Sequence, residues 1–387
     1  MILTMKNETK KICVVTSSRA DYGIMSNLIQ KIDKDTNFKL SLLVTGSHLI
    51  KKYGYTFNEI KKDRIKLIKK IPFKRNLLYE KDIGEILKKF SKVLKKLQPK
   101  IVILLGDRYE IFAVALAAFL LKIPIAHIHG GEVTQGSMDD TFRHCITKFS
   151  YLHFASTKAS SNRIQQLGEQ KKNIYNVGSL SLENLGETNF LSKNFFEKKY
   201  QIKLNKDIIV IVFHPNTLKK DNEISKIKEI ALSLNKLKNF KLIFTGSNID
   251  NGGKEISKIF KDLVSKNKSN SFFAESFGRR EFISILKMSK IIIGNSSSGI
   301  IEAPSMQTFT INFGDRQKGR EQAQSIFNCD YNKNNFYKIF HQINKIENIR
   351  KYFLNNPYKK PNVANKIISI LKKPIINEFN IKKFNDQ

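Results

Sequence analysis

The sequence predicts an α/β protein of two domains, and three observations point there. Short β-branched runs recur along the chain, each followed by Gly, Ser, Asn or His and then by an amphipathic stretch, the rhythm of strand, loop and helix in a parallel sheet. The 387 residues exceed what one hydrophobic core normally organises. Near the middle the alternation breaks at Leu182–Asn205, which is polar, rich in Lys and Asn, and poor in strand signals.

Strands are expected at Ile12–Thr16, Leu40–Thr45, Ile101–Leu105, Ile125–Ile128 and Leu152–Ala155 in the first half. The second half offers Ile208–Phe213, Lys241–Thr245, Ile291–Ile293 and Thr308–Ile311. Helical periodicity lies between them, as in Ile24–Ile32, Ile83–Leu97, Glu110–Leu121, Glu281–Met288 and Val363–Lys372. An α/β domain over residues 1–181 and a second one over 182–361 follow from this pattern. After Pro361, Asn362 is expected to cap a C-terminal helix within 362–387 that packs back on the first domain.

Composition narrows the class further. A hydrophobic share of 41% with 26% charged residues belongs to a folded globular chain and excludes a disordered one. Lys and Arg outnumber Asp and Glu by 68 to 34, a net charge of +34 that suits nucleic acid, anionic membranes or phosphorylated substrates alike. The lysines are dispersed and no helix-turn-helix, RNP or zinc-finger pattern accompanies them, so a solvated basic surface is favoured over a specific nucleic-acid footprint. Cys13, Cys145 and Cys329 form no CxxC pair or disulfide framework, as expected of a protein in a reducing cytoplasm. The N-terminus lacks a signal-peptide h-region and no apolar run reaches membrane-spanning length, so no membrane insertion is expected.

Ligands of open α/β sheets bind at the carboxyl ends of the strands, and here those ends carry TSSRADYG (16–23), GDRYE (106–110), HIHGGE (127–132), FHPNT (213–217), GSNID (246–250), GNSSSG (294–299) and GDRQKGR (314–320). In the stretch through Glu302, Ser296 and Ser297 open an expected helix, where hydroxyls and backbone N–H groups suit a phosphate; an ordinary N-cap is the alternative. Glu302 suits ribose hydroxyls or a capping role, and Arg316 and Arg320 add charge for a diphosphate, with solvated surface arginines as the alternative. Arg19 is placed to meet an anion from the first domain, unless it pairs with Asp21 or another surface carboxylate. A ligand between the domains would explain both halves.

Asp107 reads either as a base or as a cap for the helix beginning near Tyr109. Glu132 and Asp139 follow in HIHGGEVTQGSMDD, and carboxylates gathered in one cleft are what acid and base catalysis on a sugar requires. His127, His129, His144 and His214 lack a third ligand at motif spacing and no HExxH is present, so neither a metal nor another cofactor is expected. His214, just before Pro215, suits donation to a phosphate or leaving-group oxygen, with a backbone-satisfied structural histidine as the alternative.

In order and spacing, TSSRADYG, GSHLIKKYG, LLGDRYEIF, HIHGGE, DDTFRHCITK, FHP, GSNID, IGNSSSGIIE and INFGDRQKGR resemble the bacterial UDP-N-acetylglucosamine 2-epimerases of the hydrolysing type, over about residues 11–321. The resemblance implies a GT-B-like pair of Rossmann-type domains with a UDP-sugar in the interdomain cleft. It also implies hydrolysis with inversion at C2, releasing UDP and N-acetylmannosamine for nonulosonic (sialic) acid synthesis. Carried over position by position, Asp107 and Asp139 match catalytic carboxylates. Arg19, His214, Ser296, Ser297, Glu302 and Arg316 match nucleotide-contacting positions, Asn248 and Gly178 line the same cleft, and Arg143 is a candidate for charge stabilisation. Many relatives have Glu where this chain has His129, so either His129 takes that acid/base role or Glu132 compensates. A homodimer is an expectation from the resemblance alone.

Two other substrates or reactions fit the same motifs. One is hydrolytic 2-epimerisation of UDP- or GDP-linked N,N'-diacetylbacillosamine in legionaminic acid synthesis; the other is sugar transfer by a GT-B glycosyltransferase. Recruitment to nucleic acid by charge alone would instead show as strongly salt-dependent binding of any polynucleotide.

Overall fold

A computed structural model describes residues 9–76, 78–135, 137–183, 185, 189–216, 223–247, 252–374 and 382–386. The chain divides into two compact units, the first made of Met1–Glu132, Asp139–Asn184 and Lys360–Gln387, the second of Val133–Met138 and Leu185–Lys359. Each is an α/β unit built on one parallel sheet.

The first unit runs β1 (Lys10–Thr16), α1 (Arg19–Lys34), β2 (Phe38–Val44), α2 (Phe57–Lys62), β3 (Ile68–Lys70), α3 (Tyr79–Leu97) and β4 (Ile101–Leu105). It continues through α4 (Tyr109–Leu120), β5 (Ile125–Ile128), α5 (Met138–Phe149), β6 (Leu152–Ala155), α6 (Lys158–Gln166), β7 (Ile174–Asn176) and α7 (Leu180–Glu183). Among the described residues its sheet has the order β3-β2-β1-β4-β5-β6-β7. Successive side chains of a strand point to opposite faces, and both faces are covered here. Ile12 and Val14 face Met25, Ile29 and Ile367, while Cys13 and Val15 join the core of Phe90, Leu94 and Val114. That double burial is why the central strands read as unbroken apolar runs.

The second unit begins with α8 (Lys193–Tyr200), β8 (Asp207–Val212), α9 (Glu223–Leu234), β9 (Phe240–Thr245), α10 (Gly253–Ser265) and β10 (Ser271–Ala274). It goes on with α11 (Arg279–Lys287), β11 (Ser289–Gly294), α12 (Ser297–Ile301), β12 (Phe309–Phe313), β13 (Ile326–Cys329) and α13 (Lys333–Asn344). Its described strands run β10-β9-β8-β11-β12-β13. Ile209, Ile211, Phe244, Ile293 and Phe313 pack on one face against Ile227, Phe260 and Phe336.

The last helix, α14 (Val363–Lys372), returns to the first unit, where Val363, Ile367 and Leu371 enter the core beside α1. Its start corrects one expectation. Asn362 occupies the N-cap position in the left-handed region (φ +56°) and its side chain makes no capping hydrogen bond. One of the helix's N-terminal donors, Ala364 N–H, goes instead to Glu183 Oε2 at 2.6 Å.

In both sheets the chain lays strands outward on one side and then reverses, between β1 and β4 in the first unit and between β8 and β11 in the second. The crevice outside the strand ends at such a reversal is where α/β sheets receive ligands. Those ends are the loops after Thr16 and Leu105, and the loops after Val212 and Gly294.

Candidate active site

In the first unit, β4 delivers Asp107, β5 delivers His129 and Glu132, and α5 delivers Asp139, Asp140 and Arg143. His129 leaves β5 in the left-handed region (φ +63°), and Gly131 follows at φ +73°. A Cβ on Gly131 would lie 2.3 Å from the Ser160 carbonyl oxygen, so only glycine lets the chain turn there.

Arg143 organises the group. It is 2% exposed, donates to the Asp107 carboxylate, and donates to Asp140 Oδ1 and the Glu132 carbonyl at 3.0 Å each. A buried guanidinium is tolerable only with such charge-assisted partners. The side chain of Glu132 accepts from Ser156 Oγ at 2.7 Å and lies 3.8 Å from His129 Nδ1. His129 Nε2 is 3.3 Å from Ser179 Oγ, which in turn pairs with Ser181 Oγ at 3.0 Å. His127 joins α5 to the end of β4, with Nδ1 3.1 Å from Thr147 Oγ1 and Nε2 2.8 Å from the Gly106 carbonyl oxygen. Burial depresses its pKa to about 3, so this brace is neutral.

Asp107 does not cap α4, whose N-cap position is Arg108 without a side-chain cap bond; its carboxylate is taken by Arg143. Arg19 opens α1 and pairs with a surface carboxylate, Glu59, at 3.3 Å, while Asp21 accepts from the hydroxyls of Ser17 and Ser18 at 2.7 Å each. Asp139 and Asp140 are neighbours in the first turn of α5, and the one that reaches Arg143 within the helix is Asp140, three residues away. Gly178 follows β7 at φ +93°, close against Lys360.

The second unit is organised by an amide. Asn295 is fully buried; its Oδ1 accepts from His214 N–H and its Nδ2 donates to the His214 carbonyl, both at 2.8 Å. These two bonds tie the end of β8 to the end of β11 across the strand-order reversal. The Asn295 carbonyl then accepts from Arg316 Nη1 at 3.2 Å and Gln317 Nε2 at 2.9 Å. Gly294 makes the approach possible: at φ +144°, a Cβ would fall 1.8 Å from the Val212 carbonyl oxygen.

Around this hub, Ser247 Oγ is 3.5 Å from His214 Nδ1. Burial, with the Arg316 charge behind it, lowers the His214 pKa to about 3, so its imidazole meets a ligand neutral. Ser296 is the N-cap of α12 and accepts from Ser298 N–H at 3.3 Å, with Ser297 the first helical residue. Glu302 ends that helix, 3.9 Å from Arg279 Nη1. Arg320 donates to the Val133 carbonyl at 2.8 Å, holding the Val133–Met138 loop in this unit. Asn248 lies outside the described residues.

Asn295, Gln317, Asp140 and the Ser156–Ser179–Ser181 set do not stand out in the sequence as site residues. Asp140 had a usable signal in its i,i+3 spacing to Arg143. Asn295 had none beyond following a glycine at a strand end.

Residues 30–372 match the family described as UDP-N-acetylglucosamine 2-epimerase. The chain belongs to that family. A hydrolysing GDP/UDP-N,N'-diacetylbacillosamine 2-epimerase of Campylobacter jejuni is 40% identical over 330 residues, 84% of this chain and 85% of the relative. The polysialic acid biosynthesis protein P7 of Escherichia coli is 37% identical over 373 residues, 94% of each chain. A hydrolysing UDP-N,N'-diacetylbacillosamine 2-epimerase of Legionella pneumophila is 34% identical over 83% of this chain and 85% of its own. In backbone, the chain follows the UDP-GlcNAc 2-epimerase of Neisseria meningitidis bound to UDP-GlcNAc, with a TM-score of 0.79 and 22% identity over 94% of this chain and 100% of that one. This epimerase is therefore an enzyme of nucleotide-sugar chemistry, and among its described residues no helix is long and apolar enough to cross a membrane.

Proposed function

We propose that this enzyme hydrolyses and 2-epimerises nucleotide-linked N,N'-diacetylbacillosamine, releasing the nucleoside diphosphate and the free manno-configured diacetamido sugar. The choice of substrate rests on one observation, the 40% identity over 84% of the chain to the Campylobacter jejuni epimerase of that sugar. The second reading keeps UDP-GlcNAc as substrate, and the polysialic acid protein at 37% identity favours it.

The chemistry is common to both. The C2 proton of such a sugar is not appreciably acidic until the anomeric C–O bond breaks. As the diphosphate leaves with the bonding pair, positive charge builds at C1, a base takes the C2 proton, and a 2-acetamidoglycal forms. Water then adds, its oxygen to C1 and a proton to C2 from the face that inverts the centre. In this reading Asp107, ion-paired to Arg143, and Asp139 serve as the carboxylates of proton transfer. His129 and Glu132 share the remaining acid/base role, which their 3.8 Å separation and the serines around them support. His214, Ser296, Ser297, Glu302 and Arg316 hold the nucleotide, with Arg19, Gly178 and Asn248 as further substrate contacts. A neutral His214 donates a hydrogen bond to the diphosphate while Arg316 supplies the charge.

The test is turnover in deuterated water with UDP-N,N'-diacetylbacillosamine, its GDP form and UDP-GlcNAc side by side. The expected result is nucleoside diphosphate plus a manno sugar carrying deuterium at C2, with kcat/KM highest for a diacetylbacillosamine donor. Highest kcat/KM for UDP-GlcNAc moves the substrate to the second reading. Products without solvent deuterium at C2 overturn the mechanism.

A further inference from the structure

The C-terminal segment 382–386 lies against the far end of α5, the helix whose first half carries Asp139, Asp140 and Arg143. Lys382 Nζ donates to the Lys148 carbonyl, to that of Ser150 at 2.7 Å and to that of Thr147 at 3.4 Å. It also sits 2.8 Å from Glu169 Oε2. Carbonyls at the end of a helix have no intrahelical donors and carry the negative end of its dipole, so an ammonium is the complementary group. Phe384 covers Gly168 so closely that a Cβ there would fall 2.4 Å from its ring, and Asn385 N–H donates to the Gly168 carbonyl at 3.0 Å. The segment is held at three points, Lys382, Phe384 and Asn385.

The residues it grips lead to the carboxylate group. Thr147, whose carbonyl Lys382 holds, offers its hydroxyl to His127, and His127 meets the Gly106 carbonyl directly before Asp107. Glu169 is buried between charged partners, with Lys148 Nζ at 2.8 Å and His153 Nε2 at 3.2 Å. Burial alone would push its carboxyl up, but His153, Lys382 and Lys148 outweigh that and hold it down to about 2. The ammonium therefore answers both a helix end and a buried anion.

We propose that Lys382 is a positioning residue for the epimerase reaction, clamping the C-terminal end of α5 so that Arg143 and Asp107 keep their register. The proposal rests on the reading of that group as the catalytic one, and it makes the C-terminal segment part of the working enzyme.

The test compares the full chain with Lys382→Met, Lys382→Arg and a chain ending at Lys373. Lys382→Met and the shortened chain should lose on the order of tenfold to a hundredfold in kcat, as a misplaced catalytic group does. KM and the UDP inhibition constant should stay within about twofold, and Lys382→Arg should recover most of kcat by keeping the cation. Amide exchange in the last two turns of α5 should quicken in Lys382→Met while β8 and β11 are unchanged. A kcat within about twofold of the unaltered enzyme overturns the proposal, as does equal loss of kcat and UDP affinity, which marks general destabilisation. Should the unaltered enzyme turn over none of the sugars, the functional reading fails by itself, and the exchange measurement alone decides the clamp: unchanged α5 exchange refutes it.

Discussion

The two polar groups at the strand-order reversals are built on different principles. In the first unit the partners are formal charges, with one buried guanidinium bonded to Asp107, Asp140 and a main-chain carbonyl. In the second they are a neutral amide and main-chain atoms, Asn295 fixing His214 and the arginine loop. Charged side chains held by a buried counter-charge suit proton transfer, because their geometry is set and their charge is not spread into water. A rigid neutral frame that presents N–H groups and one arginine suits an anionic ligand. One region is expected to control kcat and the other affinity.

Asp107→Asn breaks the comparison most directly. It should cost about 10²–10⁴ in kcat, the range of general acid/base catalysis, with the UDP dissociation constant nearly unchanged by calorimetry. A parallel loss of UDP affinity would erase the division of labour. Arg316→Ala should do the reverse, weakening UDP by roughly tenfold or more, the loss of a charge-assisted contact, with a smaller effect on kcat at saturation. Asn295→Ala removes the amide that pairs with the part-buried N–H and carbonyl of His214. It should lower stability by about 1–3 kcal/mol in urea titrations and weaken UDP along with it.

The pH dependence sharpens the comparison from another side. His127 and His214 are held near a pKa of about 3 in the folded chain, below the unfolded value of about 6.5. The folded state binds fewer protons between those values, so their contribution is complete above about pH 6.5 and is lost as pH falls toward 3. Melting temperature should drop from pH 7 to pH 5, and His127→Gln should flatten that drop. UDP affinity should show no His214 titration over the same window. Smallest is Ser296→Ala, about 1 kcal/mol from the lost cap of α12. Accompanying loss of UDP affinity would add a ligand role to the capping one.

Legibility in the sequence followed position in the sheets. The nine strands expected from apolar runs correspond to β1, β2, β4, β5, β6, β8, β9, β11 and β12. The four not foreseen, β3, β7, β10 and β13, are the outermost strands of the two sheets. Ile68–Lys70 has no buried residue and Ile174–Asn176 is only half-buried, so neither carries the apolar signature that a strand covered on both faces must have. The candidate site was legible in residue types at strand ends. Its wiring was not: Asp107 taken alone read more readily as a cap than as a base, and nothing local distinguished Asn295 from any loop asparagine.

Sequence by itself determined the central strands, the two α/β units and the family, because burial imposes a local periodicity and strand-end loops must carry the polar groups that meet a ligand. Tertiary structure decided which polar groups meet. Asn295 finds His214 81 residues away, Glu183 caps a helix 181 residues on, and Lys382 closes α5 from 232 residues beyond Ser150. A buried donor or acceptor must find a partner, and chain folding, not sequence neighbourhood, selects which one.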